Sequence, residues 1–247
     1  MEILKQHLDN LLEQLEQEKR EEIMQRLDDL FSVYPFNEFE FLIATLMGNN
    51  IILLNDYYDL RDEYLARNMY LHLFEMTSPR GFGESWAQGH LKEITPELVK
   101  PTKKLDSSYS GQYDFLLDNI KIEVKASRAV DFNSQEALYV KALASSSEKR
   151  FDMNFQQVKP ACADVFIWIG VWRDVIRYWV LASNEIANNK YYSTGQHRGN
   201  TGEGQIHLKD DNISSFAAFE TSPRDLLEKI RQAHQRQHQK TRGKKNL

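Results

Sequence analysis

Cysteine is almost absent. Cys162 stands alone in 247 residues, so no internal disulfide is available, and no C-x-x-C or C-x-x-H spacing exists to seat a zinc ion. A fold stapled by bridges or zinc is excluded, and a reducing compartment is expected. Long apolar runs are missing too. The longest, such as Ile51 to Leu54 or Val165 to Val171, fall well short of the roughly 20 residues that cross a bilayer. Met1 to Arg20 are charged and helix-patterned, with neither a basic segment leading into an apolar core nor a cleavage site, so no secretion and no membrane contact are expected. No internal repeat is present. What the chain does have is 41% hydrophobic and 11% aromatic residues, enough to bury a sizeable core in one large domain or one and a half.

A formal charge of -5 argues against a general polyanion binder, yet the average hides an asymmetry. Residues 1–100 carry 9 Lys/Arg against 19 Asp/Glu, a net of -10, whereas residues 101–247 carry 22 against 17, a net of +5. Neutralising phosphates takes local basic density, so a nucleic-acid surface belongs in the second part.

Leu4, Leu8, Leu11 and Leu15, then Ile23, Leu27 and Leu30, recur at three- and four-residue steps among charged residues, which predicts an amphipathic helix or helix pair. Phe36 to Leu54 read as a more buried helical region ending near Gly48-Asn49-Asn50, and Asp56 to Phe74 continue helically. Residues 1–76 thus form a helical N-terminal region, whose leucine stripe serves either dimerisation or packing on its own domain. Residues 77–235 form the second region: a helix with Glu84, Trp86 and Leu91, strands at Gln112 to Leu117 and Ile120 to Lys125, and a helix at Gln135 to Lys149. Strands at Asp164 to Trp172, Val175 to Leu181 and Gln205 to Lys209 follow, then a helix from Pro223 to Gln235. Residues 236–247 are a basic tail, either touching phosphates or solvated. The order predicts an α/β or α+β core with a helical extension.

Asp118-Asn119 between the first two strands suits a tight hairpin turn, because both residues tolerate positive φ. Counting outward from it, Leu117 faces Ile120, Phe115 faces Ile122, Asp114 faces Glu123 and Gln112 faces Lys125. Alternation then sends Gln112, Asp114, Glu123 and Lys125 to one face, with Tyr113, Phe115, Ile122 and Val124 on the other. Carboxylates directly opposite on neighbouring strands are destabilising without a counter-charge. A hard divalent cation held by Asp114 and Glu123, with water completing its shell, answers that need, and magnesium prefers such sparse oxygen ligation. Lys125 on the same face is placed to orient or help deprotonate a water that attacks a phosphodiester.

Asp114 followed by Ile120-Lys121-Ile122-Glu123-Val124-Lys125 resembles the motif of the PD-(D/E)xK nuclease superfamily, with Tyr113 where the pattern often has proline. Phe155-Gln156-Gln157-Val158-Lys159-Pro160, Asp164, the Tyr178 to Leu181 strand and Gln196-His197 resemble type II restriction endonucleases in particular. The resemblance covers roughly residues 83–208. It implies a restriction-endonuclease-like mixed central sheet flanked by helices, and Mg²⁺-dependent cleavage of double-stranded DNA at a short sequence. It also implies a homodimer, and a restriction-modification role in a prokaryotic cytoplasm. Asp114 and Glu123 become metal ligands and Lys125 the catalytic lysine. Glu84 either joins the catalytic set or stabilises a helix dipole, and Gln157 either lies near the site or caps a strand edge.

For base reading, residues 193–202 supply Gln196, His197, Arg198 and Asn200 on a glycine-rich backbone, while Lys149 and Arg150 are candidates for phosphate contact. His197 and His207 are read as polar contacts or surface histidines. The competing readings are a repair or junction-cleaving nuclease of the same fold, and a non-catalytic DNA-binding domain. The complete Asp114, Glu123 and Lys125 set counts against the second.

Overall fold

A computed structural model describes residues 2–28, 35–78, 80–194 and 202–243. The chain divides into two compact units, Met1–Asn68 and Met69–Leu247. The helical segment expected to run on to residue 76 is therefore divided after Asn68. No helix among the described residues is long and apolar enough to cross a membrane.

Among its described residues the first unit holds four helices: α1 (Glu2–Leu12), α2 (Gln17–Asp28), α3 (Pro35–Gly48) and α4 (Leu54–Asn68). Leu8 and Leu12 of α1, Ile23 of α2, Leu42, Ile43 and Leu46 of α3, and Leu60 and Tyr64 of α4 share one buried cluster. Leu8 and Ile23 of the leucine stripe are thus spent on the unit's own core, with Leu11 and Leu15 packed against it. Helix α3 stops where expected, by a Schellman cap. Asn50 adopts φ +58, its N–H donates to the Met47 carbonyl (2.9 Å), and the Ile51 N–H donates to that of Leu46 (3.0 Å).

The second unit is mixed α+β. Its main sheet contains β1 (Phe115–Leu117), β2 (Ile120–Arg128), β4 (Val165–Val171), β5 (Ile176–Ala182) and β8 (Glu220–Thr221), in the order β1-β2-β4-β5-β8. β2 and β4 run parallel and the other pairs are antiparallel, so the sheet is mixed. β3 (Asp152–Val158), β6 (Tyr192–Thr194) and β7 (Gly204–Lys209) make a separate antiparallel sheet in the order β3-β7-β6. Its α-helices among the described residues are α5 (Ala87–Ile94), α6 (Ser183–Ala187) and α7 (Leu226–Gly243).

All seven residues of β4 are buried, which marks it as the strand covered on both faces. Val165, Ile167, Ile169 and Val171 pack with Ala87 and Leu91 of α5 and Leu226, Ile230 and Ala233 of α7. Phe166 and Trp168 point the other way, into a cluster with Met153 and Phe155 of β3 and Ile206 and Leu208 of β7. The layers are therefore helices, main sheet and small sheet, with two apolar cores sharing the central strands.

Several expectations change. Residues 112–114 are irregular, and β1 starts at Phe115, so Gln112 does not pair with Lys125; its amide accepts from Ser110 N (2.6 Å) and donates to Ser108 O (2.8 Å). Tyr113 leaves the Phe115 face, is buried in the small-sheet core and donates to Asp106. The helix expected at Gln135 to Lys149 is replaced by turns. Leu143 N donates to Ala129 O, Arg173 N donates to Leu143 O, and Val130 bridges Ala142, so backbone pairing beyond the ends of β2 and β4 outweighs local helix propensity. The C-terminal helix reaches Gly243, which makes residues 236–243 helical.

Gly170 in β4 is held to glycine by its neighbours. A Cβ there would lie 2.8 Å from the Trp179 ring and 3.0 Å from Met153 Sδ, both fixed in the core. Gly170→Ala is expected to cost about 1–3 kcal/mol by overpacking. All four tryptophans (86, 168, 172 and 179) lie in the second unit, so fluorescence-monitored urea unfolding reads that unit directly; an unchanged midpoint would contradict the assigned packing.

Candidate active site

The site grows out of the β1–β2 hairpin. Asp118 and Asn119 take φ +49 and +68, as a two-residue type I′ turn requires, and the register pairs Leu117 with Ile120 and Phe115 with Ile122. At Asp114 the ladder ends in a particular way. Its N–H still donates to the Ile122 carbonyl (2.9 Å), but the Val124 N–H is accepted by the Asp114 carboxylate Oδ2 (2.8 Å). A side chain thus takes over a backbone acceptor's role, fixing that carboxylate beside β2.

Its second oxygen, Oδ1, accepts from Gln88 Nε2 of α5 at 2.5 Å, and Gln88 Oε1 in turn accepts from Lys100 Nζ. Glu123, on the β2 face turned from the helices, comes within hydrogen-bonding reach of Asp114. Lys125 Nζ lies 2.8 Å from Glu123 Oε1, with the two side chains 20% and 16% exposed. Lys100, Gln88, Asp114, Glu123 and Lys125 therefore form a continuous polar chain.

Burial dominates the electrostatics. It pushes the Glu123 carboxyl up to about 7, with the Asp114 charge adding to the rise and Lys125 opposing it. Asp114 is raised for the same leading reason, offset by the Val124 N–H, Lys125 and Lys100. Burial also lowers the Lys100 ammonium, which sits 4.3 Å from the Phe115 ring centroid and is partly sustained by Asp114. Burial thus outweighs the relief that the nearby lysines give to the two carboxylates.

This chain lines a cleft of about 1190 Å³. Glu84, exposed on the π-helical turn Arg80–Trp86 that leads into α5, lines the same cleft as Asp114, Glu123 and Lys125. β3 supplies another part of the wall, where Gln157 takes φ +54 in a register shift between Phe155 and Val158. That conformation costs a non-glycine residue on the order of 1 kcal/mol. Lys159 also lines the cleft, 2.6 Å from Glu203, and feels the Glu123 charge.

Other candidates lie elsewhere. Lys149 is 3.3 Å from Asp131, and Arg150 is 3.9 Å from Asp210 and stacks over Phe132; neither lines the cleft. His207 pairs with Asp152 at 2.6 Å. Gln196, His197, Arg198 and Asn200 fall outside the described residues. Gln88, Lys100 and Lys159 were not anticipated. Gln88 had a legible signal, since it follows Glu84 by four residues at the mouth of a helix; Lys100 had none, because only the fold brings it over Phe115.

Among the described residues no group of three or more His, Cys, Asp or Glu is placed to hold a metal ion. The donor set is two converging carboxylates. Magnesium retains several waters and takes one or two carboxylates, so Asp114 and Glu123, which line one cleft, fit that ion.

The elevated Glu123 carboxyl has a consequence for stability. The folded state holds that proton more tightly than the unfolded chain, whose glutamate titrates near 4.5. Stability from this group is therefore complete below about pH 4.5 and is lost as pH rises through about 7. Without added metal, Glu123→Gln is expected to stabilise the protein by on the order of 1–3 kcal/mol at pH 8 and by much less at pH 5. Urea unfolding at both values checks this; a difference independent of pH would remove the assignment.

No family model, curated protein or solved structure matches the chain.

Proposed function

We propose that the protein is a Mg²⁺-dependent endonuclease of double-stranded DNA, built on a PD-(D/E)xK active site and acting as a sequence-specific type II restriction enzyme. One observation carries the proposal. Asp114, Glu123 and Lys125 converge in an open cleft, with both carboxyl groups raised by burial and a lysine 2.8 Å from one of them. The setting supports it as well: a hairpin whose second strand runs parallel to a buried β4, and a preceding helical segment bearing Glu84.

In this reading Asp114 and Glu123 would hold the cation. Bound there, magnesium would lower the pKa of a coordinated water and stabilise charge developing on the phosphate. The Val124 N–H and Gln88 fix the Asp114 carboxylate in one orientation, and Lys100 polarises Gln88 from behind. Lys125, 2.8 Å from Glu123 Oε1, would orient the attacking water and meet the phosphate's negative charge. Each protomer has one such centre, so cutting both strands in one encounter calls for two copies related by a two-fold axis.

Incubating the protein with plasmid DNA and Mg²⁺ tests the proposal. Discrete, reproducible fragments are expected; preference for branched substrates would favour a repair or junction nuclease instead. Glu123→Ala should abolish cleavage and weaken Mg²⁺ binding, whereas Lys125→Ala should retain the metal and lose about 10²- to 10⁴-fold in rate. Near-normal turnover in either variant would overturn the active-site assignment.

A further inference from the structure

β3 is built unlike an ordinary strand where it meets the cleft. Phe155 and Val158 are both buried, while Gln156 and Gln157 between them are both exposed and line the cleft. In a regular strand Phe155 and Val158, three residues apart, would face opposite sides, and so would the two glutamines. The register shift and the positive φ at Gln157 remove that alternation. They bury two apolar side chains in the small-sheet core and turn two neutral amides outward together.

The chemistry of that wall differs from the rest of the cleft. Phosphate contact calls for positive charge, which Lys100, Lys125 and Lys159 already supply around the carboxylates. A primary amide offers one donor group and one acceptor on a planar head. That pattern matches adenine, whose major-groove edge presents N6–H₂ as donor and N7 as acceptor. Asn154, one turn of the pleat earlier, donates to Gln205 Oε1 of β7 at 3.2 Å and so ties the base of the bulge to the neighbouring strand. The two glutamines are presented from a sheet, which holds them more firmly than a mobile loop would.

Resting on the nuclease reading, we infer that Gln156 and Gln157 are specificity-determining residues that read adenine in A·T pairs beside the cleaved phosphodiester. The recognised sequence then contains A·T pairs close to the cut, and β3 contributes to reading them.

The test is selection from a pool of DNA duplexes with a random central tract, bound by the full chain in Ca²⁺. Plasmid cleavage in Mg²⁺ is run alongside. The wild-type protein is expected to enrich A·T pairs at fixed positions, and 7-deazaadenine at those positions to weaken binding. Gln156→Ala and Gln157→Gly should each lose roughly 5- to 150-fold in preference at one position, the equivalent of a lost bidentate contact. Glycine is native to the Gln157 backbone conformation, so this second variant keeps the bulge and should unfold at the same urea concentration or higher. Wild-type protein that cuts DNA but enriches no A·T position overturns the inference and leaves the nuclease reading standing. Variants that keep the wild-type preference, or that weaken on all duplexes equally, overturn it too. Wild-type protein that neither binds nor cuts any duplex overturns both.

Discussion

Two carboxylates held against each other at the margin of a buried sheet are the constraint on which the rest of this site depends. Burial disfavours the charged form of both Asp114 and Glu123, and the Asp114 charge raises Glu123 further. They are held by a hairpin register with little freedom: a two-residue turn with both φ values positive, and a second strand locked against β4 along seven consecutive pairs. Slipping that register by one residue would send Ile122 and Val124 out of the core, so the apolar face of β2 enforces the unfavourable polar face.

The surrounding polar groups moderate the repulsion without cancelling it. Gln88 and the Val124 N–H occupy Asp114, Lys125 leans on Glu123, and Lys100 acts at one remove through Gln88. Each contact orients a carboxylate as well as stabilising it. The elevated Glu123 carboxyl shows that, on balance, burial still outweighs these partners. Catalytic sites commonly carry such an imbalance, and structural ion pairs in a core do so less often.

The small sheet completes the arrangement. It covers the second face of the main sheet with Met153, Phe155, Ile206 and Leu208, and the same strand that supplies two of these apolar residues supplies the amide-lined part of the cleft. Core packing and cleft chemistry are thereby coupled through β3. The bulge at Gln157 is where the two demands meet, since an unbroken strand would satisfy only one of them.

Much of this was legible in the residues themselves. Apolar alternation, the Asp118-Asn119 pair and the run of β-branched residues determined the hairpin, its register from Phe115 to Ile122 and the shared side of Glu123 and Lys125, because strand periodicity and turn stereochemistry are local properties; Asp114 lies in irregular backbone just before β1. The helical character of the first unit followed from the spacing of its leucines for the same reason. Tertiary structure alone decided the rest. Residues 135–149 carry helix-favouring alanines, yet form turns in which Ala142 pairs with Val130, and Leu143 with Ala129 and Arg173, because unpaired backbone at the ends of two buried strands had to be satisfied. Lys100 and Gln88 reach Asp114, and β3 reaches the cleft, through contacts between segments distant in the chain, which no local pattern encodes.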